Sequence, residues 1–248
     1  MRVRGALHVH SRLSHDGTLT VAEVADFYRA KGYHFVAMGE HSQDMAEEEV
    51  QELVRDCARN SGEDFCLIPG IEFTCRKGVH VLGAGCVALT QESEPAAVAR
   101  HVRAHGGFAV VAHPSRYQWE CSSDLLQAVD AIEIWNLAYD GKFLPGAQAL
   151  RVFAEIRKVN PGLLAVAGHD LHRVAGFYDV SVEMEVNRLC PEAVLENLHN
   201  AAYCIRSRFF SSSPHGSFSP WNVFVLRLLS RQLGRLRSAR DLVVRWSQ

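Results

Sequence analysis

The chain has 248 residues, 48% of them hydrophobic and 22% charged, and a formal net charge of −2 at pH 7. That length allows one large core, as in single-domain α/β barrels, and the near-neutral balance gives no global pull toward nucleic acid. The charge is uneven: eight Arg and one Asp lie from residue 201 onward, which leaves −9 on the first 200 residues.

No apolar run reaches the roughly 18 residues that a membrane span needs. The opening Met1-Arg2-Val3-Arg4 leads straight into a strand pattern and does not read as a signal peptide. Cys57, Cys66, Cys75, Cys86, Cys121, Cys190 and Cys204 form no CxxC pair and lie mostly in apolar runs. That usage is expected of buried, reduced thiols in a cytoplasmic protein.

In chain order, 3–10 reads as a strand ending in Leu7-His8-Val9-His10. Residues i and i+2 of a strand face the same side, so His8 and His10 make a two-imidazole clamp for a divalent metal. His15-Asp16-Gly17 adds a carboxylate in the next loop. Thr20-Val21-Ala22-Glu23 is a capping box and Gly32 a helix stop. Strand 34–38 leads to Glu40-His41, and helix 44–60 carries acids early and Arg55 and Arg59 late, as the helix dipole favours. Strand 65–69 leads to Gly70-Ile71-Glu72, and strand 79–83 contains His80. Helix 94–105 ends at Gly106-Gly107, strand 108–112 leads to His113-Pro114, and strand 131–135 leads to Asn136. Helix 146–159 stops before Pro161-Gly162, and strand 163–167 leads to Gly168-His169-Asp170-Leu171-His172. Strand 180–186 and helix 191–200 follow. A Ser-rich loop at 211–217 precedes a basic, apolar helix over 220–245, with Arg227, Arg231, Arg235, Arg237 and Arg240 interleaved among leucines. Alternation of strand and helix over the whole length implies a parallel sheet, most economically seven or eight units closed into a barrel. Such barrels build their sites at the C-terminal strand ends, where His8, His10, His41, Glu72, His113 and Asp170 all fall. A His and carboxylate set without thiolates suits Zn²⁺, Mn²⁺ or Fe²⁺.

Together these motifs resemble the polymerase and histidinol phosphatase (PHP) superfamily over roughly residues 3–215. The resemblance implies a distorted (βα)7 TIM-like barrel over 1–215; the residues beyond it are expected to form a helical extension over 216–248 packed on the barrel. It also implies two or three divalent ions. His8, His10, Glu72 and Asp170 would hold one, Glu72 with His80 and His113 a second, and Asp16, His41 and His172 a third. Asp16 is preferred to the neighbouring His15. The sequence departs from the family pattern at Ala6-Leu7, at Gly39-Glu40-His41 and at His169. Glu40 is expected to stand in as the acid that supports His41.

Clustered divalent ions lower the pKa of a bridging water and stabilise a leaving oxyanion, so the natural reaction is hydrolysis of a phosphate ester by metal-bound hydroxide. The resemblance points to a phosphomonoester, a nucleotide or a short oligonucleotide, with Glu72, Asp170 and His172 carrying the catalytic centre. Of the cations near the motifs, Arg12, Arg76, Lys77, Arg116 and Arg173, the candidates for substrate phosphate are Arg116 and Arg173, because each directly follows a ligand motif. Asn136 either bonds a ligand or caps its own loop. Tyr117 and Trp119 read as packing residues before stacking ones, and His215 reads as a loop residue, with reach to the site as the alternative. An amidohydrolase-like C–N hydrolase and a non-catalytic module are the other readings. No base-reading motif supports sequence-specific nucleic-acid binding.

Overall fold

The structure is a computed structural model that describes residues 1–216 and Leu228. The basic helix expected over 220–245 lies, but for Leu228, outside the described residues. The strands are β1 (Arg2–Val9), β2 (Phe35–Met38), β3 (Glu40–His41), β4 (Cys66–Ile68), β5 (Gly70–Thr74), β6 (His80–Ala84), β7 (Phe108–Ala112), β8 (Ala131–Asn136), β9 (Leu164–Leu171), β10 (Val180–Glu185), β11 (Tyr203–Ser207) and β12 (Ser211–Ser212). The helices are α1 (Val21–Ala30), α2 (Glu47–Arg59), α3 (Pro95–Ala104), α4 (Ser123–Ala128), α5 (Ala147–Val159) and α6 (Pro191–His199).

Gly39 separates β2 from β3, and Pro69 separates β4 from β5, so each pair is one strand with a bend. Hydrogen-bond pairing runs from β1 to β2 to β4, from β3 to β5, and on through β6, β7, β8 and β9 back to β1. The sheet is mixed, which corrects the all-parallel expectation. β6 runs antiparallel to both β5 and β7. The link from β5 to β6 is a tight turn with Lys77 and Gly78 at φ 60° and 70°, too short for the crossover helix that a parallel partner requires. β10 is also antiparallel, pairing with the first half of β1, and β11 and β12 extend that arm. The segment expected as a barrel strand near 180 therefore lies beside the ring.

Val3, Leu7, Phe35, Ile68, Leu82, Val110 and Val166 point inward and form one buried cluster with Val194 and Leu198 of α6. The His199 ring rests 5.3 Å from that of Phe108, which opens β7, so α6 stops the end opposite the histidines. Outward-facing Val9, Val36, Val111 and Ile132 pack in a second cluster with Val24 and Tyr28 of α1, Leu53 of α2, Val102 of α3 and Phe153 of α5. The capping box forms as read: Thr20 Oγ1 accepts from the Glu23 N–H (3.2 Å) and Glu23 Oε2 accepts from the Thr20 N–H (2.8 Å). All seven cysteines are free thiols. No described helix is long and apolar enough to cross a membrane.

Candidate metal centre

The inward ends of the strands are bent to aim their side chains. The register of β1 slips between Leu7 and Val9 against both β2 and β9, and His8 sits at φ 63°. Unbroken alternation would put Leu7 and His8 on opposite faces. The bulge lets Leu7 fill the core while His8 faces the site, with its ring 5.1 Å from that of His10. His113, directly after β7, and Asp170, near the end of β9, are also left-handed, at φ 30° and 48°. Non-glycine residues take this conformation uncommonly, Asp and His more readily than most, and it recurs at functional sites.

Glu72 is the hub. It is fully buried, and its Oε1 lies 2.7 Å from His113 Nε2, 2.8 Å from His80 Nδ1 and 3.4 Å from His8 Nε2. Its Oε2 lies 2.9 Å from His41 Nδ1 and 3.8 Å from His10 Nε2. Asp170 Oδ1 faces His10 Nε2 at 3.4 Å, His172 Nδ1 at 3.5 Å and His8 Nε2 at 3.7 Å. At the solvent edge Asp16 bridges His41 Nε2 and His172 Nε2, each at 3.3 Å. All nine residues expected as ligands are therefore gathered in one place. Donor atoms converge within 4.8 Å in four groups: His8, His10 and Glu72; Glu72, His80 and His113; His8, His113 and Asp170; and His10, His41 and His172. His15 turns away to pair with Asp44 at 2.7 Å, so Asp16 is the member of that motif at the centre.

A ring of supporting groups fixes these side chains. Glu133 Oε1 lies 2.8 Å from His8 Nδ1, and its Oε2 accepts from the His113 N–H (2.7 Å) and from Asn136 Nδ2 (2.8 Å). The same Asn136 amide reaches Asp170 Oδ2 at 3.2 Å, while Asn136 Oδ1 accepts from the Ala138 and Tyr139 N–H groups at 3.0 and 3.3 Å. Asn136 thus both caps its loop and bonds a candidate ligand. Glu40 does not touch the His41 ring, contrary to expectation. It accepts from the Ser11 N–H (2.9 Å) and the Ser14 hydroxyl (2.6 Å), and Ser14 Oγ accepts in turn from the His41 N–H (3.0 Å) and faces His10 Nδ1 at 3.3 Å. Glu40 and His41 are adjacent on β3 and face opposite sides, so the acid supports the loop that carries Ser14 and, through Ser14, the His41 backbone.

The donor set fits divalent cations. Buried side-chain atoms with no hydrogen-bond partner concentrate here: His8 Nε2, His10 Nε2, His41 Nδ1, His113 Nδ1, Glu72 Oε2 and Asp16 Oδ1. An unpaired buried polar atom costs about 1–3 kcal/mol, and converging lone pairs are satisfied only by a proton or a cation. Burial pushes the Glu72 carboxyl up, but the charge of His8, the hydrogen bond with His113 and the close His41 ring hold it well below the usual carboxylate range. Asp170 is lowered likewise: burial opposes its charge, and His8 and His10 outweigh it. Burial disfavours a charge on His8 as well, yet Asp170, Glu133 and Glu72 raise its pKa well above the ordinary value. In His10 burial wins against the nearby Asp170 carboxylate, and the ring is lowered to about 4, a neutral base at pH 7.

Of the expected phosphate-binding residues, Arg116 reaches the centre, with Nη1 3.4 Å from His80 Nε2 and its guanidinium 5.8 Å from the Tyr139 ring centroid. Arg173 is exposed and makes no side-chain hydrogen bond or ion pair with a described residue. Arg76 is engaged by Glu94 at 2.6 Å, and Arg12 Nε donates to the Thr18 carbonyl at 2.9 Å. Tyr117 packs, donating to the Ala112 carbonyl at 2.9 Å. His215 is a loop residue: its carbonyl accepts from Arg157, and neighbouring Pro214 bonds Ala165 at the start of β9, away from the site. Sequence reasoning missed Tyr139, half-exposed with its ring 5.0 Å from that of His113; it placed the segment from Glu133 to Asn136 near the site by family resemblance but gave Glu133 no role. The signal for Glu133 was an acid in the middle of the apolar run 131–135.

No family model and no curated protein matches the sequence. Among solved structures, the chain is similar to a two-domain protein containing a predicted PHP-like metal-dependent phosphoesterase from Bacteroides vulgatus, with a TM-score of 0.59 and 16% identity over 83% of this chain and 65% of that one. It is similar to an amidohydrolase from Chromobacterium violaceum with bound sulfate and no metal, with a TM-score of 0.53 and 18% identity over 79% and 96%. A third is the lesion-specific endonuclease EndoQ from Pyrococcus furiosus, with a TM-score of 0.58 and 16% identity over 81% and 56%. The chain spans less than two thirds of the length of the first and third of these proteins. The likeness is one of architecture, and by it the chain has the mixed α/β fold of the PHP-like metal-dependent phosphoesterases.

Proposed function

We propose that the protein is a metal-dependent phosphoesterase. The observation that carries this reading is Glu72, a fully buried carboxylate with five imidazole nitrogens 2.7 to 3.8 Å from its oxygens. His8, His10, Glu72 and Asp170 would hold one ion. Glu72, His80 and His113 would hold a second, and Asp16, His41 and His172 a third. Bound divalent ions supply an activated water and neutralise phosphoryl charge. The chain's own residues do the rest. Glu72 and Asp170, kept anionic, set the charge of the centre, and the apolar walls beneath exclude water from one side. Arg116, at the rim beside His80, offers a planar fork to a phosphate oxygen. Asp16 and His172 form the partly open edge where substrate enters.

The amidohydrolase neighbour favours a second reading, hydrolysis of a C–N bond. Such barrels usually bridge their metals with a lysine, and among the described residues no lysine enters the cluster; the central bridge is a glutamate. The endonuclease neighbour supports including nucleic-acid esters among the substrates tested. The deciding experiment assays a panel of phosphomonoesters, nucleotides, short oligonucleotides and amides with Mn²⁺ and with Zn²⁺. Turnover of phosphate esters abolished by chelator is expected. Amide turnover with no phosphatase activity would replace this reading by the second.

A further inference from the structure

The three left-handed residues of the centre, His8, His113 and Asp170, also form one of the groups of converging donors. All three are tied to a side chain that sends no atom into that group. Glu133 holds the His8 ring by Nδ1 and the His113 backbone by its N–H, and through Asn136 Nδ2 it reaches the Asp170 carboxylate. Two features of the sheet exist to accommodate this arrangement. Glu133 and Asn136 are three residues apart and would face opposite sides of a regular strand, but β8 slips register between Glu133 and Trp135, and both turn inward. On the adjacent β9, residue 168 is glycine, and a Cβ there would lie 1.8 Å from Glu133 Oε1. The orientation of Asn136 is settled by its other end: Oδ1 takes two backbone N–H groups, so the amide nitrogen must point at the two carboxylates.

We propose that Glu133 is the positioning residue of the centre, one that binds no metal and touches no substrate. By accepting from His8 Nδ1–H it turns Nε2 toward Glu72 and Asp170, the nitrogen that would give its lone pair to a cation bound there. By gripping the His113 N–H and, through Asn136, Asp170, it holds one left-handed backbone and a carboxylate in one arrangement. A carboxylate behind a ligating histidine commonly fixes its tautomer and raises its basicity, and losing it lowers metal affinity or activity about 10- to 100-fold. The proposal rests on reading the cluster as a metal centre, but not on which bond the centre hydrolyses.

The test uses the full chain, stripped with chelator and titrated with Zn²⁺ against a chromophoric competitor and with Co²⁺ by visible absorption. Glu133→Gln preserves shape and should keep the circular dichroism of the wild type. It should bind its tightest ion about 10- to 100-fold more weakly, with a shifted Co²⁺ spectrum. A purely structural role would lower thermal stability and leave that spectrum unchanged. Asn136→Ala, which removes the arm from Glu133 to Asp170 and the loop cap at Ala138 and Tyr139 but leaves the Glu133 contacts to His8 and His113 in place, should shift the spectrum in the same direction by less, and it carries the test if Glu133→Gln does not fold. Wild-type affinity and spectrum in a folded variant would overturn the proposal. A wild-type chain that takes up neither metal would overturn the metal-centre reading and this proposal with it. Metal uptake as expected, without phosphatase activity, would overturn the phosphoesterase reading alone.

Discussion

Glu72 has no contact with solvent, and its charge is maintained only by the imidazoles around it. Removing that charge removes the common partner of five histidines at once. Glu72→Gln is expected to lower phosphoesterase turnover by at least ~10²-fold, the size of a lost preorganised electrostatic interaction. Steady-state kinetics together with metal analysis checks this, and near-normal turnover with metal retained would move the bridge elsewhere. Arg116 makes the complementary case, because it sits at the rim. Arg116→Ala should leave metal content unchanged and raise KM for phosphate esters. The loss in kcat/KM should be on the order of 10- to 150-fold, that of a charge-assisted hydrogen bond of roughly 1.5–3 kcal/mol. Arg55, exposed on α2, is the control. Arg157 would be a poor one, since it holds the carbonyls of Pro161 and His215. Arg173, without a contact to the cluster, should give a smaller effect than Arg116.

At the scale of elements, the site depends on strands that end badly. Regular β-structure gives one inward side chain in two, and a bulge adds one where the alternation would deny it. The bulges at His8 and after Glu133 each bring a polar group inward directly beside a packed residue, so candidate-site and core residues share a strand. The opposite end of the ring is closed by α6, whose Leu198 is fully buried in the inward-facing cluster. Leu198→Ala should lower unfolding free energy by about 2–5 kcal/mol, the usual cost of truncating a buried leucine. Chemical denaturation measures this, and metal content per folded molecule should stay at the wild-type value because α6 lies at the far end from the histidines. A matching loss of metal would show that the two ends are not independent.

For the whole molecule, the centre draws side chains from every part of the ring, from His8 at one end of the chain to His172 after β9, so metal binding must bear on global stability. Protein purified without chelator is expected to carry two or three equivalents of divalent metal by elemental analysis. Stripping it should lower the melting temperature, since a ligand that binds only the folded state adds about 2.7 kcal/mol at one hundred times its Kd. One equivalent or none, with no gain on reconstitution, would rule out the cluster.

The sequence by itself determined which residues are the candidate ligands and at which strand ends they stand. HxH at the end of an apolar run, and single acids and histidines after five later runs, are local patterns, and local pattern is what periodicity and capping record. The nine candidate ligands, the Thr20 cap and the strands from 34 to 38 and 108 to 112 were legible for that reason. Only the tertiary structure decided that Glu72 is the common partner, that β6 runs against its neighbours, that Glu40 serves Ser14 and not the His41 ring, and that Arg116 arrives where Arg173 does not. It also made Glu133 the support of three ligands. These outcomes depend on turn length, on bulges that invert the facing of a strand, and on pairings between residues more than a hundred positions apart, such as His8 with Glu133. A single sequence fixes none of these locally, because the energy that selects them comes from contacts formed only when the ring is assembled.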